Sequence, residues 1–250
     1  MAGRINQSTP KEDGFFMPGE FEQQQRILMM WPEKPDIWRE NAEPAQRTFA
    51  EVAKAILKFE PVTMFVSDEQ YIRCRSMLPN EIQVVEMSSN DAWIRDTGPS
   101  FVKKGEVLCI DTDDKNHPFY QAAKSAQGVL MRAKDVTGKR LRVHKLCCPK
   151  REVRLDQNFE LMQTNQAKER KRGDLCIASY ANFLLVNGGV IAPQYKDDND
   201  KIALKQLQEI FPERKVVGVD TREIAYGGGN IHCITQQIPE VYQKRAGGKE

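Results

Sequence analysis

Histidine is scarce in this chain, with three among 250 residues, at His117, His144 and His232. No two stand at His-x-x-x-His spacing and no Cys-x-x-Cys pair occurs, so the sequence carries no metal-ligand pattern. An excess of charge of one sign is also lacking. The 37 basic and 35 acidic residues are interspersed and leave a net charge of +2. That balance removes the electrostatic case for nucleic acid or an anionic membrane as partner. The densest basic run, Lys168-Glu169-Arg170-Lys171-Arg172, is short and reads as a solvated loop. No apolar run approaches the ~20 residues that a membrane helix requires. The segment Met1-Ala2-Gly3-Arg4-Ile5-Asn6-Gln7 has no apolar core of a secretory signal. The six cysteines (Cys74, Cys109, Cys147, Cys148, Cys176, Cys233) are scattered, and the adjacent Cys147 and Cys148 are poorly placed to bridge each other. They read as reduced thiols of a cytoplasmic protein.

What is present is an ordinary globular composition, 40% apolar and 29% charged, long enough for one sizeable α/β domain. Residues 1–13 are polar and are expected to form a disordered tail. From Pro44 to Phe59, Ala45, Phe49, Val52, Ala53, Ile56 and Leu57 recur at helical spacing. A strand at 62–66, a helix at about 68–77 capped by Ser67 and a strand at 82–85 follow, an alternating α/β pattern. The second half contains an internal echo. Residues 100–110 read as a hairpin through Lys104-Gly105, followed by an Asp-rich turn, a helix at about 116–133 and a strand at 141–145. Residues 181–192 repeat the hairpin through Asn187-Gly188, followed by Asp197-Asp198, a helix at about 200–211 and a strand at 215–219. The polar stretch 150–172 between them lacks periodicity and reads as a long loop.

Two segments carry chemistry. In Gly227-Gly228-Gly229-Asn230-Ile231-His232-Cys233, glycines that let a ligand approach the main chain lead into an apolar segment with one thiol. Cys233 is either a nucleophile in an apolar wall or a buried cysteine of a core strand. Far upstream, Asp91-Ala92-Trp93-Ile94-Arg95-Asp96 lies where a strand gives way to a loop. Two carboxylates and a flat aromatic face suit a planar cation such as a guanidinium. The same residues also fit a turn cap, a core tryptophan and a structural ion pair.

The run Val84 to Pro99 closely resembles the agmatine deiminases, within the bacterial peptidylarginine deiminase group and the guanidine-modifying pentein superfamily. So do Met17-Pro18-Gly19-Glu20-Phe21-Glu22, Trp31 to Arg39, Pro44-Ala45-Gln46-Arg47, Asn187 to Gln194 and Gly227 to Gln237. The resemblance implies an α/β pentein-type propeller of repeated hairpin–helix–strand modules. It also implies hydrolysis of agmatine to N-carbamoylputrescine and ammonia, a step of putrescine and polyamine biosynthesis, without metal or organic cofactor. Under it Cys233 matches the nucleophile and Asp96 a guanidinium-binding carboxylate. Trp93 matches an aromatic of the site, Asp91 is a weaker substrate contact, and Gly228 and Gly229 lie against the substrate. A histidine would protonate the departing ammonia and then activate water.

The chain also departs from that pattern. The central Gly-His-x-Asp-Asn motif that holds the family's histidine and second carboxylate is absent, as are its Glu-Gly-Gly and Trp-Gly-Gly motifs. The expectation is a single incomplete domain over 14–245, about three modules of five, joined near residues 101–110. None of the remaining histidines offers a substitute. On a strand, His232 would face away from Cys233; His117 reads as a turn residue, and His144 as packed or solvated. Loss of a positioned acid–base costs about 10²–10⁴ in rate. Three readings follow: an active deiminase, a silent binding or regulatory subunit, and a rearranged product without stable function. Association as a homodimer or with a full-length subunit is expected to cover the exposed edges.

Overall fold

The computed structural model describes residue 12 and residues 18–87, 92–95, 101–103, 106–135, 137–156, 159–161 and 170–240, with backbone only at 101–103. The expected tail at 1–13 therefore lies outside the described residues apart from Glu12, and so do Asp91 and Asp96.

The echo in the sequence is a structural repeat. In one unit, β4 (Phe101–Lys103) pairs antiparallel with β5 (Glu106–Asp111), α3 (Tyr120–Leu130) crosses over, and β6 (Arg142–Cys147) runs parallel to β5. In the next, β7 (Leu184–Val186) and β8 (Gly189–Gln194) form the hairpin, α4 (Asp200–Ile210) crosses over, and β9 (Lys215–Asp220) runs parallel to β8. The remaining unit has the same plan, but its hairpin comes from distant parts of the chain. There β10 (Thr235–Pro239) pairs antiparallel with β1 (Gln24–Met30), α1 (Glu43–Leu57) crosses over, and β2 (Val62–Val66) runs parallel to β1. A further helix, α2 (Tyr71–Met77), brings β3 (Gln83–Glu86) alongside β2. The described residues thus form three sheets, and the pairing of β10 with β1 ties the C-terminal segment to the N-terminal one.

Period-2 alternation explains how the β7–β8 hairpin organises the interior. Leu184, Val186 and Ile191 face one core, shared with Ile27 and Met29 of β1, Phe49 and Ile56 of α1 and Met64 of β2. Leu185, Val190 and Ala192 face the other, shared with Leu108, Leu146, Leu207 and Phe211. Both faces of this hairpin are buried, so β8 reads as a continuous apolar run rather than alternating. Each fully buried aliphatic side chain here contributes roughly 1.5–3 kcal/mol.

Several boundaries differ from the sequence expectation. The helix expected over 116–133 is shorter, because Asn116 N–H donates to the Asp114 carboxylate in a turn that His117–Phe119 continue. Ser67 makes no side-chain cap; its backbone N–H donates instead to Glu33 Oε1 at 2.9 Å. Irregular backbone extends beyond 150–172, from Cys148 to Phe183 among the described residues, relieved by the bridge Arg154↔Leu175.

Candidate active site

The site is built around the turn that follows α5 (Arg222–Gly227). Gly228 caps that helix at φ +108°, a left-handed conformation that glycine adopts at little cost. Gly227 and Gly229 are required for close approach. A Cβ on Gly227 would overlap the Trp38 ring, and one on Gly229 the Trp93 ring. Trp38 in turn packs edge-on against Phe49 at 5.6 Å and tilted against Trp93 at 5.4 Å between ring centroids. Gly228 faces Arg170, whose guanidinium donates to the carbonyls of Tyr226 and Gly227. The glycine run expected to admit a ligand thus admits side chains of the chain itself at all three positions.

Cys233 is not on a strand. Residues 231–234 form a turn and β10 begins at Thr235, so strand alternation does not govern His232 and Cys233. The sequence-based argument separating those two side chains fails for this reason. The separation has another physical cause. His232 Nε2 lies 2.9 Å from Glu20 Oε2 and 2.9 Å from Arg95 Nη1, and Arg95 also donates to Glu20. The imidazole is held in an ion-pair cluster. The Cys233 sulfur, in a residue only 3% exposed, instead receives a hydrogen bond from Asn182 Nδ2 at 3.2 Å.

At Cys74, Cys109, Cys147, Cys148 and Cys176 burial is the leading influence on the thiol, even where a cation opposes it, as Arg170 does at Cys176. Burial pushes the Cys74 and Cys148 thiols up to about 12 and those of Cys147 and Cys176 up to about 11, so they stay protonated at neutral pH. Beside Cys233 stands a cation. Burial pulls the Arg95 guanidinium down from its ordinary value, opposed by the charges of Glu20 and of the Cys233 sulfur. Burial alone would raise the Glu20 carboxyl, yet the hydrogen bond and charge of His232, with the charge of Arg95, hold it below the usual carboxylate range.

The two distant segments meet here. Arg95 N–H donates to the Cys233 carbonyl at 3.1 Å, and Trp93 rests on Gly229. Cys233, Trp93, Gly228 and Gly229 are therefore gathered in one place, while the carboxylates expected from Asp91 and Asp96 lie outside the described residues. Sequence reasoning missed Asn182, the Glu20–His232–Arg95 cluster and the Trp38 prop. It also missed Arg39, which grips Glu223 of α5 through two hydrogen bonds of 3.0 and 2.6 Å. That grip secures a turn in which Glu40, Asn41 and Ala42 all take positive φ, a strained conformation for residues with a Cβ. His117 occupies the expected turn, accepting from Phe119 N–H and contacting the Pro149 carbonyl, and His144 pairs with Glu106 at 2.5 Å. Among the described residues, no group of three His, Cys, Asp or Glu side chains is arranged to hold a metal, and no helix is long and apolar enough to cross a membrane.

Comparison with known proteins places this geometry in context. The pattern of the Porphyromonas-type peptidyl-arginine deiminases matches residues 16–106 and again 100–239. The agmatine deiminase of Stutzerimonas stutzeri is 33% identical in an alignment of 358 positions that takes in 93% of this chain and 97% of the relative. The solved agmatine deiminase of Enterococcus faecalis superposes with a TM-score of 0.91 at 36% identity, over 96% of this chain and 100% of that one.

Proposed function

This chain belongs to the Porphyromonas-type peptidyl-arginine deiminase family, and from that premise we propose that it hydrolyses agmatine to N-carbamoylputrescine and ammonia through a cysteine thiol. Its architecture is the pentein-type α/β propeller of repeated hairpin–helix–strand units. The observation that carries the reading is the Cys233 sulfur, donated to by an amide and placed beside the Arg95 cation, in the turn that also holds Trp93 against Gly229.

In the proposed reaction the Cys233 thiolate attacks the central carbon of the substrate guanidinium and forms a carbon–sulfur bond. Ammonia then leaves, taking a proton, and an S-alkylthiouronium remains on the sulfur. Water adds to that carbon, the carbon–sulfur bond breaks, and the ureido product departs while the thiolate is restored. Asp96, with Asp91 as a weaker contact, holds the guanidinium by paired hydrogen bonds, and Trp93 supplies the aromatic wall. Gly228 and Gly229 shape the backbone that carries these groups, consistent with their contacts to Arg170 and Trp93.

The same proposal includes a missing central segment with its junction near 101–110, in a single domain over 14–245. Two features support it: the family pattern falls on the chain in two pieces meeting at 100–106, and the alignment of 358 positions is longer than the 250-residue chain. The histidine that the resemblance locates in that segment is then supplied by a full-length partner subunit, or turnover runs about 10²–10⁴ below that of a complete enzyme. Six free cysteines support placing the protein in the cytoplasm.

The test is ammonia and N-carbamoylputrescine release from agmatine by the purified chain, alone and mixed with the Enterococcus faecalis relative inactivated at its own nucleophile. Turnover that disappears in Cys233→Ala is expected. Turnover unaffected by that substitution, or neither turnover nor a single equivalent of ammonia under either condition, would refute the assignment.

A further inference from the structure

We propose that Asn182 is the positioning residue of the Cys233 sulfur, orienting it and favouring its thiolate by amide donation. The inference rests on the proposed role of Cys233 but concerns a residue outside every motif that led to it. The amide's orientation follows from its partners. His232 backbone N–H donates to Asn182 Oδ1 at 2.9 Å, and an N–H cannot accept, so the oxygen must face it. The Nδ2 group is thereby turned to the Cys233 sulfur, 3.2 Å away. A second approach of 3.6 Å joins the sulfur to Asn182 Oδ1, through which the protonated thiol can donate. One amide therefore accommodates both forms of the thiol, and only the Nδ2 donation strengthens when the proton leaves.

Both partners stand on a locked scaffold. Asn182 N–H donates to the Ser179 carbonyl at 3.2 Å, within the irregular stretch between the buried Tyr180 and Phe183. The Tyr195 hydroxyl donates to Ser179 O at 3.0 Å and accepts from Ser179 N–H at 2.9 Å and Asn230 Nδ2 at 3.0 Å. All of its hydrogen-bonding capacity joins the Asn182 stretch to the turn carrying Cys233. Tyr180 O–H and Tyr195 N–H both bond Asp200 Oδ1 of α4, which fixes the stretch from beneath. The donor is thus held before any substrate arrives, the arrangement that makes a hydrogen bond to a developing charge effective.

The experiment is a pH titration of the ultraviolet thiolate absorbance, taken as the difference between each protein and its Cys233→Ser counterpart. It is run on the unaltered chain, Asn182→Ala and Asn182→Asp. Asn182→Ala removes the donor, and the titration is expected to move upward by about one pH unit, a tenfold loss of thiolate at a fixed pH below it. Asn182→Asp keeps the oxygen that accepts from His232 N–H but places an anion where the donor stood, and is expected to move it further. Titrations of both variants that coincide with that of the unaltered chain overturn the proposal. Should Asn182→Ala lose its cooperative melting transition, the near-isosteric and uncharged Asn182→Leu takes its place: an upward shift supports the role, coincidence refutes it. No substrate enters this measurement. A shifted titration in a chain that never turns over agmatine would therefore count against the deiminase reading and leave the Asn182 assignment standing.

Discussion

At the residue scale the site depends on contacts that no other side chain tolerates. Gly229 lies against the Trp93 ring so closely that a single methyl would displace it. Gly229→Ala is expected to lower turnover at least tenfold and to cost about 1–3 kcal/mol, the usual range for overpacking. Turnover and melting temperature measured together test this, and an unaltered kcat/KM would show that the Trp93 position does not matter. Much of this site was legible in the sequence because Cys233, Trp93 and the glycines lie in compact motifs. Asn182 was not, since one polar residue in a stretch without periodicity carries no local signal, and its partner lies 51 positions away. Glu20 and Arg170 escaped for the same reason: their partners exist only once the chain has folded.

Among the elements, the repeated hairpins and helices were readable because their periods and turn residues agree, as at Asn187-Gly188 between β7 and β8. β1 and β10 were not, because Gln24-Gln25-Arg26 and Gln236-Gln237 break the apolar alternation. Their pairing depends on closure between the two ends of the described chain. The six-residue α5 is too short to show a period. The Asn187 turn also joins two units: its side chain exchanges hydrogen bonds with the Gln24 backbone, and it donates to both carboxylate oxygens of buried Glu60. Burial pushes the Glu60 carboxyl from 4.5 up to about 7, only partly opposed by Asn187 and by the charge of Arg214. A raised carboxyl means that the folded state keeps a proton the unfolded chain releases above pH 4.5. Stability should therefore fall as pH rises from about 4.5 through 7, by on the order of 2–3 kcal/mol, and level off above. Glu60→Gln, which imitates the protonated form, should flatten that decline in thermal melts across the range. An undiminished slope in the variant would assign the decline to other groups.

For the whole molecule, three units share two cores, and the first unit is completed only when β10 returns to β1. Cys233 sits two residues before β10, so the closure that completes the sheet also delivers the thiol to Arg95 and Asn182. If a central segment is missing as proposed, this arrangement can still form, because the contacts described at the thiol come from residues 92–95 and from Asn182. On that proposal, attack on the substrate carbon draws on those groups and the departing ammonia takes its proton from solvent, whereas hydrolysis of the adduct loses the histidine that would activate water. The covalent intermediate is therefore expected to accumulate. The most direct measurement is the mass of the acid-quenched chain after incubation with agmatine, with the modified peptide then sequenced. The account predicts a species heavier by agmatine less ammonia, carried on Cys233 and absent from Cys233→Ala. Modification at another residue, or an unmodified chain under conditions in which agmatine is consumed, would contradict it.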